Sequence, residues 1–246
     1  MKNLNLKRIF ILSFSLPFLL SNCTNSEDPV QTKTAPIPSL NNTEESDGID
    51  YSIVEFPIIE GDQLDIDSLF VQVGYQLNEE RWILIGRSMK DDPKGLKMLL
   101  INPKENFKLL YQSRGAYESM TLHPQFFKPV NPNDPWVILC ALGQNESWGQ
   151  ELFFMKGDSI QEASYLDVAL KEEADSSFYE KGYVLKDISP YTRITKNGNE
   201  FRFSFEADSL LYFGDIENKI DPVLDGHQLA FIYNHANGEL ILTITD

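Results

Sequence analysis

The chain has 246 residues, 42% of them hydrophobic, with 16 Phe, 10 Tyr and 3 Trp. That composition excludes an intrinsically disordered protein and supplies enough apolar mass for one sizeable core. A formal net charge of −16 at pH 7 repels phosphate backbones and anionic headgroups, so nucleic acid is excluded as an expected partner, as is a membrane held by charge alone.

In chain order, the first element is a secretory signal. Lys2, Lys7 and Arg8 precede an apolar run from Ile9 to Leu20, diluted by Ser13, Ser15 and Pro17. The run is shorter than the ~20 residues that a bilayer-spanning helix needs, so a cleaved signal over residues 1–22 is expected. Leu20-Ser21-Asn22-Cys23 resembles the lipobox of bacterial lipoproteins. Leu20 and Ser21 match that pattern, and Asn22 stands where Gly, Ala or Ser is usual. The resemblance implies lipidation of Cys23, which becomes the mature N-terminus in the cell envelope. Several acyl chains, palmitate among them, are expected, because one chain binds a membrane only marginally. By the same resemblance, Thr24 in place of Asp points to the outer membrane. Exposure to the periplasm or to the cell surface is left open, and the early Glu27-Asp28 pair belongs with surface export in some groups.

Residues 24–49 are rich in Asn, Thr, Ser, Pro and Glu and hold no helical or strand period. They read as a disordered tether, which as a flexible coil reaches roughly 25–30 Å on average. Its expected role is to hold the body away from the lipid.

From residue 50 to residue 246 the chain reads as a single all-β domain. Short runs rich in Val, Ile, Phe and Tyr alternate with turn signals. Strands are expected over 51–56, 69–76, 82–87, 97–101, 107–112, 136–142, 151–155, 202–205, 229–233 and 239–244. Asn197-Gly198 and Asn237-Gly238 mark tight hairpins, because Asn-Gly supplies positive φ. Phe201, Phe203 and Phe205 share one strand face and belong in the core. Pro124, Pro129, Pro132 and Pro135 predict an irregular loop over 124–135. The segment 164–178, with Leu170-Lys171-Glu172-Glu173-Ala174, predicts one or two helical turns.

An internal echo links Trp82-Ile83-Leu84-Ile85 to Trp136-Val137-Ile138-Leu139. Each is followed by a Gly-bearing loop and further strands. A repeated β unit of this size suggests propeller-like blades, while a β-sandwich or another antiparallel meander of hairpins is equally allowed. The pattern faintly resembles the integrin-type (FG-GAP) repeats of bacterial lipoproteins, which place an Asp-rich loop before a strand pair. Asp62, Asp65 and Asp67 sit where that loop would be, without the family's Asn-Gly-Asp spacing.

No metal, nucleotide or catalytic motif stands out, and no cofactor is expected. His123, His227 and His235 lack metalloprotease spacing and read as turn and surface residues. Ser147, in Asn145-Glu146-Ser147-Trp148-Gly149, lacks the first glycine and the following helix of a nucleophile elbow. Cys140 lies in an apolar run and reads as a small buried hydrophobe without a disulfide partner. The acids Asp62, Asp65, Asp67 and Asp215, Glu217, Asp221, Asp225 cluster without the EF-hand order that calcium loops use. Trp148, Tyr179 and Tyr191 are candidates for stacking on sugars.

The expected function is a lipid-anchored, non-catalytic binding or scaffolding domain with a protein or glycan partner. The alternatives are a glycan-directed hydrolase using paired carboxylates such as Asp62 or Asp215, and a calcium-assisted adhesion module.

Overall fold

The run Trp136-Val137-Ile138-Leu139-Cys140-Ala141-Leu142 gives solvent nothing polar, so a strand made from it must be covered on both faces. The computed structural model of the chain shows how that is met. It describes residues 50–64, 66, 69–88, 95–116, 119–175, 181–214 and 223–245. Cys23 with its lipobox and tether, Asp65, Asp67, Tyr179, Asp215, Glu217 and Asp221 lie outside the described residues.

Among the described residues the strands form four sheets, and every pairing is antiparallel. With strands numbered in chain order, the first sheet runs β2 (Ile58–Glu60), β3 (Leu69–Gln76), β4 (Trp82–Ser88), β5 (Lys97–Asn102), β6 (Lys108–Gln112). The second runs β7 (Thr121–Pro129), β8 (Trp136–Gly143), β9 (Ser147–Lys156), β10 (Ser159–Leu166), with β1 (Tyr51–Val54) added beside β7. Trp82 opens β4 and Trp136 opens β8, each the same step of its meander, so the sequence echo is a repeated β unit. The second half of the chain does not continue it. A third sheet, β12 (Tyr183–Lys186), β11 (Val168–Glu173), β15 (Leu210–Tyr212), β16 (Val223–Leu224), interleaves in sequence with a fourth, β13 (Thr192–Asn197), β14 (Glu200–Phe205), β17 (Leu229–Asn234), β18 (Glu239–Ile244).

The second sheet is the central layer. On one face Val137, Leu139, Leu152 and Phe154 pack with Val168 and Leu170 of the third sheet and Phe201, Phe203, Phe231 and Tyr233 of the fourth. On the other face Ile138, Cys140, Phe153 and Met155 pack with Ile83, Ile85, Met98 and Leu100 of the first sheet. Strand alternation sends successive residues of β8 and β9 into two different cores. A smaller cluster of Val71, Leu84, Leu99 and Ile101 lies on the outer face of the first sheet. Among the described residues, no helix is long and apolar enough to cross a membrane.

Two local expectations are corrected. The helical turns expected within 164–178 are absent from the described part, where β10 ends and β11 runs. Val168, Ala169 and Leu170 are buried, and β11 is paired on both edges, by β12 and β15; that burial and pairing outweigh the helix propensity of Lys171, Glu172 and Glu173. The loop expected over 124–135 is β7 as far as Pro129. Pro124 sits opposite Cys140 of β8, but β1 covers β7 only from Phe126 to Pro129. The missing N–H of Pro124 therefore falls beyond the end of β1 and costs no ladder bond there.

The turns are also specific. Asn197 pairs with Glu200, so the tight turn is Gly198-Asn199, with the positive φ of 58° carried by Gly198. The Asn237-Gly238 hairpin has four loop residues, closed by Asn234 pairing with Glu239, and Gly238 carries φ 74°.

Because the central sheet feeds two cores, Phe153→Ala and Phe154→Ala should each cost about 3–5 kcal/mol although their side chains enter different cores. Ile58→Ala, at a position 61% exposed, should stay within about 0.5 kcal/mol. Urea unfolding of the full chain measures all three.

Candidate functional site

Where the first and second sheets meet at the side of β6 and β10, a cleft of about 470 Å³ opens. Its lining includes Arg114, Trp148, Glu151, Glu162 and Tyr165. The local sequence explains the placement. Glu151 precedes the apolar run Leu152–Met155 on β9 and lies opposite Cys140 on one side and Tyr165 on the other. Glu162 on β10 lies opposite Phe153, and a bulge follows at Ala163. Both glutamates therefore project from the face that packs on the first sheet, at the margin of its core.

Glu162 acts on the Glu151 carboxyl by charge and by hydrogen bonding. Two carboxylates have no hydrogen to share, so such a bond needs one of them protonated, and below about pH 7 Glu151 holds that proton. Burial pushes its carboxyl up to about 7; the charge and hydrogen bond of Glu162 add to this, and Arg114 opposes it. Arg114 comes from the segment after β6. Its Nε lies 2.7 Å from Glu162 Oε1, and its backbone N–H donates to Glu162 Oε2 at 3.1 Å. The glutamates thus join β9 to β10 within the second sheet, and the guanidinium of Arg114 ties them to the segment that follows the first sheet. Burial is the first cause that raises the Cys140 thiol and the phenols of Tyr111 and Tyr165, and nearby acids, Glu162 beside Tyr111 and Asp167 beside Tyr165 among them, add to it. Of these groups Tyr165 lines the cleft, and it does so as the neutral phenol.

The aromatic wall is held by a glycine. Tyr165 Oη donates to the carbonyl of Trp148 at 2.6 Å. Gly149 has φ +146°, and a Cβ there would lie 2.0 Å from Tyr165 Oη and 2.8 Å from the Leu166 carbonyl. Only glycine leaves room for that tyrosine.

The residues singled out in the sequence fall elsewhere, Trp148 excepted. Asp62 is exposed on a 3-10 turn. Asp225 caps the short 3-10 turn before β17, accepting from the His227 N–H at 2.8 Å. Among the described residues, no group of three or more His, Cys, Asp or Glu is arranged to hold a metal ion. Ser147 opens β9, so strand follows strand and the geometry is not a nucleophile elbow. Its Oγ is buried without a partner beside a second cavity of about 480 Å³ that His123 and Tyr191 also line. Cys140 is free and wholly buried, as a small apolar residue would be, and its raised pKa leaves little reactive thiolate. His235 lines a third cavity, beside Phe154 and Phe201.

Glu151 and Glu162 were not singled out in the sequence. The faint signal is a glutamate, Glu151, heading an apolar strand, where burial forces a polar group to find a partner. No protein-family model, curated protein or solved structure matches the chain.

The proton on Glu151 links stability to pH. The folded chain keeps it up to about pH 7, whereas the unfolded chain releases it near ~4.5. The favourable contribution is complete below ~4.5, declines as pH rises, and is gone above about 7. It amounts to roughly 3 kcal/mol, or about 6–12 °C in melting temperature. Glu151→Gln keeps a donor toward Glu162 but cannot ionise. Melting curves between pH 4 and 8 should therefore fall less steeply for this variant than for wild type.

Proposed function

We propose that the chain is a lipid-anchored protein of the bacterial envelope, held at Cys23, whose β body binds a glycan in the cleft of Arg114, Trp148, Glu151, Glu162 and Tyr165. The anchor rests on the lipobox-like Leu20-Ser21-Asn22-Cys23, and the outer membrane is the favoured site because Thr24 follows. A net charge of −16 supports attachment by acyl chains rather than by basic residues, and it argues against nucleic acid as a partner.

The observation that carries the ligand class is the company of Trp148. An indole beside a protonated carboxyl, a carboxylate and a guanidinium gives a flat apolar surface next to hydrogen-bonding groups of both kinds. A sugar ring has that same duality of apolar C–H faces and hydroxyl edges.

Binding is favoured over hydrolysis by the spacing of the acids. Glycosidases hold their two carboxyls ~5–9.5 Å apart, so that a sugar carbon or a water fits between them. Glu162 acts on Glu151 by hydrogen bonding as well as charge, an interaction of shorter range than that gap. Asp62 is exposed and Asp215 lies outside the described residues, so the acids named for hydrolysis gain no support.

Two measurements test the parts separately. Cys23→Ser should abolish incorporation of radiolabelled palmitate and release the protein from the membrane fraction; membrane retention without label sinks the anchor. On an array of bacterial and host glycans, the wild-type chain should bind a discrete set. Trp148→Ala should lose at least tenfold in affinity for that set without a change in melting temperature. An array with no signal, or a Trp148→Ala chain that binds equally, would falsify the glycan reading.

A further inference from the structure

Each sheet of this fold ends in edge strands, and one edge lacks the devices that close an edge to other chains. Native proteins blunt an edge by keeping it short, charging it or breaking it with a bulge. Among the described residues, β1, β2, β12 and β16 are at most four residues long. β6 carries Lys108 and a break in register against β5, and β10 has a break between Glu162 and Ser164. β13 carries Arg193 and Lys196, and the Lys196 N–H is taken by Asp50 Oδ2 at 2.7 Å.

β18 has none of these protections. Its six residues, Glu239-Leu240-Ile241-Leu242-Thr243-Ile244, hold no proline and no lysine, and they pair with β17 without a break. Glu239 is the one charge of the strand, in a chain with 37 acids. Ile241 and Ile244 are 49% and 50% exposed. Leu240 and Leu242 are only partly buried against the core that the second, third and fourth sheets share.

The hydrogen-bond ladder fixes which backbone groups are open. The Thr245 N–H donates to the Gln228 carbonyl at 2.9 Å. Opposed residues in an antiparallel pair alternate between bonded and unbonded, so Thr243, Ile241 and Glu239 also turn their N–H and C=O groups to β17. Leu240, Leu242 and Ile244 turn theirs to the other side. Among the described residues no strand meets them there.

We propose that this edge pairs antiparallel with the same edge of a second copy of the chain, about a two-fold axis at Leu242. In that register Leu242 faces Leu242 and Leu240 faces Ile244, so every outward N–H and C=O of those residues finds a partner. The side chains match as well. Leu240, Leu242 and Ile244 carry the apolar inner face of the fourth sheet across the axis, and on the outer face Ile241 meets Thr243. Glu239 meets Thr245, so the charge of the strand does not face its like. That self-complementarity is what a two-fold interface requires, and it favours a second copy over an unrelated extended segment. Moving the axis to Ile241 would set Ile244 against Gly238, whose N–H already donates to the Asn234 carbonyl at 2.8 Å. The edge shares no residue with the Trp148 cleft and does not depend on the glycan reading.

A single strand pairing is smaller than the ~1,200–2,000 Å² of stable interfaces, so the dimer is a weak one. Sedimentation equilibrium of the full chain, with detergent micelles in excess and a reductant present, should give a dimer with Kd of roughly 10–100 µM at about 0.5 M NaCl. At about 0.05 M NaCl the Kd should be about threefold higher or more, because less salt screens two copies that each carry −16. Ile244→Pro should abolish the dimer at unchanged melting temperature, since the N–H it removes points away from β17 and the side chain is half-exposed. In a Cys23→Ser background, Ile241→Cys and Thr243→Cys chains mixed together should form the mixed disulfide about threefold faster or more than either forms its own, because only the mixed pair is directly opposed. A chain that stays monomeric to about 300 µM overturns the inference. So does a dimer that Ile244→Pro leaves intact, a dimer that weakens as salt rises, or equal rates for the mixed and unmixed disulfides.

Discussion

Burial of one sheet on both faces is the constraint on which the rest of the structure depends. Val137 to Ala141 on β8 and Leu152 to Met155 on β9 are buried throughout. Backbone alternation then sends neighbouring residues into opposite cores, so each stretch needs a covering layer on both sides. The first sheet supplies one layer, and the third and fourth supply the other. The central sheet is thus a shared wall, and the two cores are coupled through it rather than independent.

The Trp148 cleft arises at the margin of that wall. Where its apolar run stops, the next residue still lies near low-dielectric surroundings. Glu151 is that residue on β9. Its proton is held by burial and by Glu162, and Arg114 joins the pair from the neighbouring sheet. At the other face Phe154 is buried against Phe201, Tyr233 and His235, and Lys156 carries the strand out into solvent. One sheet therefore presents an acid-paired cleft at the margin of one face and a closed aromatic core on the other. The chemistry differs because the residues closing each margin come from different sheets.

Much of the β body was legible from local pattern. Leu69–Gln76 and Glu239–Ile244 have the bounds that their alternation indicates, and the Trp82 and Trp136 echo marked two equivalent meanders. The misreadings share a cause. Residues 168–173 carry helix-forming side chains, but strands on both edges claim their backbone. Pro124 looks like a strand breaker, yet it sits just where no neighbour asks for its N–H. In each case the deciding partner lies far along the chain. Trp148 was legible as a candidate for stacking, while Glu151 and Glu162 were two acids among 37. Nothing local told them apart from solvated charge.

By itself the sequence determined that the body is antiparallel β. Strand alternation, β-branched and aromatic runs and glycine turns act over a few residues and need no distant partner. The lipobox-like Cys23 and the acidic charge are likewise properties of the chain as written. Only the tertiary structure decided which sheets cover Val137–Ala141, that Arg114 reaches Glu162, and that Lys196 meets Asp134. Those contacts depend on register and packing between segments many residues apart. A carboxyl such as that of Glu151 becomes a proton holder only once such packing removes its water.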